Sequence, residues 1–396
     1  MRDARTVYNG RWGRERRVVR RASMVLCTHN REDSRRSGSR KISSCPHRTC
    51  AMAVVCVLCV SVRSWAGITD LFVPGQRVLW IGAHPDDENA AGGLLVRARD
   101  RAGTLYLASF TRGENPPQTW GGLRRGSEIA QAREALLSEA AGILLANDWS
   151  VGPFVNGPHT LAELDAMPPD APFEGWPPDA SSADVLAKWA GEGDPVGFVV
   201  GLLRTWRPHV VVTLDGYCGV SGHPEHRAVG RTVEAAIPLA ADPDQYPALG
   251  EPWSVSFLVL TGRISDDLTA CGLCKCEGDP PPEPIEHVLA LDTSATHGGT
   301  YYYTACLVQA NYANTMQELG LTPQEREAAC ASNESMLQQS YQQGNTQDPI
   351  TEPYRLRVVA TPVPAGRGGG WLWASAMIVV LFWLFGYRSG APRRLA

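Results

Sequence analysis

Apolar and polar positions fall into blocks along the middle of this chain, and the blocks differ in period. Arg77–Gly82, Thr104–Thr111, Val210–Leu214, Val255–Leu260 and Arg355–Pro362 are short apolar runs, and each predicts a strand, the continuous ones buried on both faces. Ser127–Leu145 instead places Ile129, Ala132, Leu136, Leu137, Ala140, Ile143 and Leu144 at helical spacing. Asn89–Arg101, Pro195–Trp206, a segment from residue 226 to about 241, Tyr301–Leu319 and Gln324–Gln343 predict further helices. Residues 153–182 are rich in Pro, Asp and Gly and predict an irregular excursion. Strands alternating with helices imply an α/β domain with a mainly parallel sheet. Ligands of such sheets bind beyond the carboxyl ends of the strands.

Composition changes the picture mainly at the two ends. With 396 residues, 44% hydrophobic and 20% charged, the chain is neither collagen-like nor wholly disordered. Its net charge of −4 averages unlike parts: residues 1–50 carry thirteen Arg and one Lys against four acids, whereas residues 67–370 hold 19 bases against 37 acids. So acidic a body disfavours nucleic acid as a partner, because phosphate binding needs dense Lys and Arg. The basic leader runs into the apolar stretch Ala51–Val62 and then Ser64-Trp65-Ala66, so residues 1–66 read as a leader with a signal peptide; a buried first strand is the other reading. A Gly/Pro linker over 364–370 precedes an uncharged stretch, 371–387, at the lower length limit for a transmembrane helix. Arg388, Arg393 and Arg394 follow it, so the positive-inside rule puts the 388–396 tail in the cytoplasm and the 67–363 domain outside, exported and anchored in the cell membrane. A buried terminal helix is the alternative there, and the tail also resembles bacterial C-terminal sorting signals. Oligomeric state is not legible. Six cysteines in the body (Cys218, Cys271, Cys274, Cys276, Cys306, Cys330) suit up to three disulfides in an exported protein. Within the Cys-rich insertion 271–286, Cys271, Cys274 and Cys276 are alternatively a zinc-ligand set.

The candidate chemistry lies at two strand ends. His84-Pro85-Asp86-Asp87 follows the first strand, and a tight turn can aim His84 and Asp87 at one point, an imidazole and carboxylate pair that suits zinc. Asp86 then diverges from its neighbour and can face a bound water. His223-Pro224-Glu225-His226 follows a later strand, and one of its His completes a His-Asp-His site with an open position for water. Two His and one carboxylate also suit Fe2+. No Gly-x-Gly-x-x-Gly follows the first strand, so nothing supports a dinucleotide.

AHPDDE followed by Gly92-Gly93, a Thr111-Arg112-Gly113-Glu114 loop after the next strand, and the later GHPEH together resemble the PIG-L/LmbE-like metal-dependent de-N-acetylases, from about Val78 to Thr232. The resemblance implies a Rossmann-like three-layer domain in which a metal replaces the dinucleotide. It further implies His84, Asp87 and His226 as metal ligands and Asp86 as the general base. His223 would steady the oxyanion in protonated form or protonate the leaving amine, and the substrate would be an N-acetylated sugar or glycoconjugate. The family pattern HPDH is HPEH here, so the geometry of His223 is in question if Glu225 orients it and unaffected if Glu225 faces solvent. Some relatives carry Tyr where this chain has Ser221. Arg112 and Glu114 are candidate pocket residues or solvated loop charges. His159, His209, His287 and His297 have no partner motif and read as structural. The contrasting function, from another class, is a non-catalytic cell-surface glycan-binding module with a degenerate metal site.

Overall fold

Val78 to Ile81 and Val210 to Leu214 are almost completely buried, which is why these unbroken apolar runs become the adjacent central strands β1 (Arg77–Gly82) and β4 (Val210–Leu214). The structure is a computed structural model that describes residues 67–117, 122–261, 276–316, 318–347 and 349–359. The leader and signal segment, the linker, the 371–387 stretch, the basic tail, Cys271 and Cys274 lie outside the described residues. Among the described residues no helix is long and apolar enough to cross a membrane.

With β2 (Thr104–Thr111), β3 (Asp148–Phe154), β5 (Phe257–Thr261), β6 (Ile285–Leu289) and β7 (Thr351–Val358), these strands form one sheet in the order β3-β2-β1-β4-β5-β7-β6. The first five are mutually parallel, and β7 and β6 add an antiparallel edge. Helices α1 (Gly92–Ala102), α2 (Ser127–Ile143), α7 (Tyr301–Met316) and α8 (Pro323–Gln342) pack together as one group. The second group contains α4 (Ser182–Glu192), α5 (Pro195–Trp206) and α6 (Pro224–Ala241), while α3 (Leu161–Ala166) is a short helix against α2. The result is the α/β domain with a mainly parallel sheet that the alternation implies, in the three layers that the family resemblance implies. Strand order reverses between β1 and β4, so the crevice beyond their carboxyl ends is the topological switch point where such folds bind ligands.

The segment 153–182 is more regular than its composition suggests. It begins in the last residues of β3 and includes α3, whose Thr160 and Glu163 form a capping box. Helix α4 starts just after it on a second capping box, Ser181 with Asp184. Cys218 is bonded to Cys276 and Cys306 to Cys330, so Cys276 is not free to join a zinc set with Cys271 and Cys274. The paired glycines have a packing cause. A Cβ on Gly92 would lie 2.6 Å from Ala305 Cβ on α7, and one on Gly93 would lie 2.9 Å from a Glu352 carboxylate oxygen. That carboxylate, reaching from β7, accepts from the Gly93 and Leu94 amides at 2.8 and 2.9 Å and so caps α1.

Candidate metal centre

β1 ends at Gly82, and the chain turns sharply through Asp86, which has φ 111°. A non-glycine residue there costs on the order of 1–3 kcal/mol and is tolerated where surrounding contacts fix it. The turn separates the two aspartates. Asp87 points inward, its Oδ2 accepting from the Ala83 and His84 amides at 2.7 and 2.8 Å. Asp86 points to the cavity, with Oδ1 2.8 Å from a guanidinium nitrogen of Arg133.

The second half of the site follows β4. Asp215 Oδ1 accepts from the amides of Tyr217, Cys218 and Gly219, folding the loop back on itself. Gly219 takes φ 56°, and a Cβ there would lie 2.6 Å from His226 Cβ. The Gly219 carbonyl, 2.9 Å from His226 Nδ1, fixes the imidazole so that Nε2 faces the cavity, and Ser221 Oγ lies 3.0 Å from the same nitrogen.

Donor atoms of three side chains converge. His226 Nε2 is 3.2 Å from His84 Nδ1 and 3.1 Å from Asp87 Oδ1, while His84 Nδ1 is 3.6 Å from Asp87 Oδ2. Ligands about 2.0–2.1 Å from a tetrahedral zinc stand about 3.3 Å from one another, so these side chains fit a zinc-sized ion. Their electrostatics also call for positive charge. Burial alone would raise Asp87, yet His226 and His84 pull it well below the usual carboxylate range. Burial likewise opposes a charged His84, but Asp87 and Glu225 push its imidazole up to about 10. His223 closes the group, with one ring nitrogen within 4.8 Å of those of His84 and His226.

Glu225 neither orients His223 nor faces solvent. It is 0% exposed and turns toward His84, bonding Nε2 through its Oε2. The same oxygen accepts from Asn156 Nδ2 at 2.7 Å, while Oε1 accepts from the Gly157 amide at 2.6 Å and Trp176 Nε1 at 2.8 Å. Despite its burial, the bonds and charge of His84 hold this carboxylate far below its ordinary range. The extra methylene of Glu is thus used to reach across the site to His84, a candidate ligand. His223 is left without a carboxylate partner, its Nδ1 buried and unbonded. Burial, then the proximity of His226, pushes its imidazole down to about 3, so it stands neutral rather than protonated at pH 7.

The donors border a cavity of about 600 Å3 that Asp86, His223 and Arg133 also line. Arg112 and Glu114 are not among its lining residues. Arg112 pairs at 3.2 Å with Glu134 on the surface, whereas Glu114 is buried and braces the Asn156 amide at 3.0 Å. His209 is structural, accepting from the Arg77 amide at 3.0 Å, and the half-buried His297 has its Nδ1 3.0 Å from Ser294 Oγ. Arg133, Asn156 and Trp176 were not flagged by motif. Arg133 alone left a readable trace, since it lies on the apolar face of α2 between Ile129 and Leu137.

Fold and donor set together define a three-layer α/β protein with a candidate cation site at its switch point. A family model described as PIG-L: GlcNAc-PI de-N-acetylase matches residues 79–237. The 1D-myo-inositol 2-acetamido-2-deoxy-alpha-D-glucopyranoside deacetylase 2 of Saccharopolyspora erythraea is 32% identical over 235 residues, 55% of this chain and 77% of that protein. The deacetylase of the same description from Rhodococcus jostii is 32% identical over 238 residues, 56% of this chain and 74% of its own. Among solved structures, the N,N'-diacetylchitobiose deacetylase of Pyrococcus horikoshii is similar over 82% of this chain and 99% of its own, at 16% identity and a TM-score of 0.43. The chain belongs to the PIG-L family, and it is a de-N-acetylase, a hydrolase of the amide bond.

Proposed function

We propose that this chain is a zinc-dependent hydrolase that removes the acetyl group from an N-acetylated amino sugar or its conjugate. The observation that carries the reading is the convergence of His84 Nδ1, His226 Nε2 and the Asp87 carboxylate in a cavity that Asp86 and His223 also line. Those three residues would hold the ion, which when bound polarises a carbonyl oxygen and acidifies a water. Asp86 acts as general base: Arg133 occupies Oδ1, leaving Oδ2 to take the proton of the attacking water. Arg133 also donates to the Pro85 carbonyl, so one guanidinium sets both the turn and the base. His223 lends a neutral imidazole N–H to the oxygen that gains charge, and the proton collected at Asp86 returns to the leaving amine. The named relatives act on an acetamido sugar joined to inositol, which supports an amino-sugar substrate here.

Acetate release from N-acetylglucosamine conjugates by the zinc-loaded chain tests the reading, with Asp86→Ala and His84→Ala as controls. Glycan binding without acetate release under any metal would overturn it in favour of a binding module. Elemental analysis after anaerobic purification separates zinc from Fe2+. We further propose that the enzyme is exported and anchored by its 371–387 stretch, a reading supported by the apolar run and its arginine flank. Protease added to intact cells is then expected to digest residues 67–363, and full protection would refute the topology.

A further inference from the structure

The segment that begins as an apparently irregular excursion forms one wall of the cavity, and it is tied down along its length. The Ala171 carbonyl accepts from Arg125 at 2.7 Å, the Glu174 carbonyl from Asn115 at 2.9 Å, and the Ala180 carbonyl from Arg227 at 3.0 Å. Trp176 is fixed by its bond to Glu225, which itself bonds His84. Arg125 also donates to the Pro116 carbonyl at 3.2 Å and stands 5.7 Å from the centre of the Phe173 ring, joining the wall to the Pro116-Pro117 turn opposite. With these three carbonyls and the indole N–H committed to the protein, the side chains this wall presents to the cavity are mainly carbon. Pro116, Pro117, Phe173, Trp176, Pro177 and Met316 line it, and Phe173 remains 44% exposed although it is a large apolar side chain.

Charge is distributed in the same sense. The Arg and Lys residues among the described lining residues are Arg133 and Arg227, and both are engaged. Arg133 holds Asp86 and the Pro85 carbonyl; Arg227 holds Glu277 at 3.1 Å together with the Gly222 and Ala180 carbonyls. Each is over nine-tenths buried. Away from the metal centre, a phosphate would meet no Arg or Lys among the described lining residues without breaking the framework that positions the base or the His223 loop. Phosphate recognition ordinarily uses Arg or Lys forks or a helix N-terminus; the α6 N-terminus that lines the cavity begins with Pro224, which has no N–H to offer, and carries Glu225 in its first turn. The remaining charged lining groups are those of the metal centre.

Taking de-N-acetylation at this site as given, we propose that the cavity selects amino sugars carried on an uncharged, apolar aglycone, with Phe173, Trp176, Pro116, Pro117 and Pro177 receiving that aglycone. The sugar's acetamide lies toward His84 and Asp86, and the group on its anomeric carbon runs along the carbon-lined wall. Desolvation of the aglycone against aromatic and proline surface supplies the preference, and it falls mainly on KM.

The test uses the full chain loaded with zinc and three substrates: the methyl and octyl glycosides of N-acetylglucosamine, the latter below its micelle-forming concentration, and N-acetylglucosamine 1-phosphate. Acetate release is expected with kcat/KM at least tenfold higher for the octyl than for the methyl glycoside, a preference that burial of about two methylenes accounts for. The phosphate should do no better than the methyl glycoside. Phe173→Ser, an exposed position where folding is not at stake, should bring the octyl-to-methyl ratio to within threefold, and Phe173→Leu should retain most of it. Equal turnover of methyl and octyl glycosides, or the phosphate as the best substrate, overturns the aglycone site and leaves deacetylation standing. No acetate from any of the three, with octyl glycoside binding by calorimetry and losing that binding in Phe173→Ser, supports the apolar site and overturns the hydrolytic reading. Absence of both turnover and binding overturns both.

Discussion

Glu225→Gln is the sharpest perturbation of the site that leaves its shape nearly intact. The carboxylate accepts four hydrogen bonds, two at each oxygen, and is wholly buried. A Gln oxygen can retain the Gly157 amide and Trp176 Nε1. Its NH2 then faces Asn156 Nδ2 and His84 Nε2. Asn156 cannot simply turn over to present its oxygen, because Oδ1 already accepts from the Asn115 amide at 3.1 Å. Hydrogen bonds to a charged group are worth about 1.5–3 kcal/mol each, and tautomer exchange at His84 recovers part of the two placed at risk, so the net loss should be about 3 kcal/mol. In a domain of this size that lowers Tm by roughly 6–10 °C. Freed at Nε2, His84 also loses the partner that fixes Nδ1 toward the ion, and such losses typically weaken metal affinity about 10–100-fold. Thermal melts of the metal-free chain and zinc competition against a chelator measure the two effects separately. Glu225→Asp should also weaken zinc, because the shorter side chain cannot span from Trp176 to His84. Zinc affinity within twofold of the parent in Glu225→Gln, with Tm unchanged to within a degree, would refute the positioning role.

Arg133→Met removes the cation that orients Asp86 and the Pro85 carbonyl; kcat for acetate release should fall at least tenfold with KM little changed, and a large KM effect alone would argue against it. Gly92→Ala sets helix propensity, worth about 1 kcal/mol in favour of Ala, against a Cβ placed 2.6 Å from Ala305 Cβ. Overpacking of about 1–3 kcal/mol should prevail, so a higher Tm would show that α7 yields freely. Glu277 is held below its ordinary value: burial opposes this, but Ser182 and the guanidinium groups of Arg231 and Arg227 outweigh it. Its contribution to stability is therefore complete above the unfolded carboxylate value and is lost as pH falls through the depressed folded value. Urea midpoints of Glu277→Gln and the parent should differ at pH 7 and converge in strong acid, and a gap that widens on acidification would contradict the assignment.

What could be read from sequence divides along physical lines. β1, β2 and α5 occur with the bounds their apolar runs imply, because burial on both faces leaves a continuous run and a helix packed on a sheet leaves a strong period. β3 escaped notice because Asp148-Trp149-Ser150-Val151-Gly152-Pro153-Phe154 carries Gly and Pro, and its pairing with β2 supplies what local propensity lacks. β6 is a largely half-exposed segment at the sheet edge and has little burial to record. The candidate donors are legible because their spacing is local: Asp87 stands three positions after His84, and His226 lies in a compact motif of its own. The positioning groups were not, since Glu225 meets His84 across 141 residues and Trp176 across 49. The same long-range carboxylate makes floor and wall one unit. A bond from Glu225 to His84 sets a proposed metal ligand, while its bond to Trp176 sets the surface proposed to receive the aglycone. Substrate preference and metal affinity should therefore shift together in Glu225 variants, whereas Phe173 variants should move preference alone.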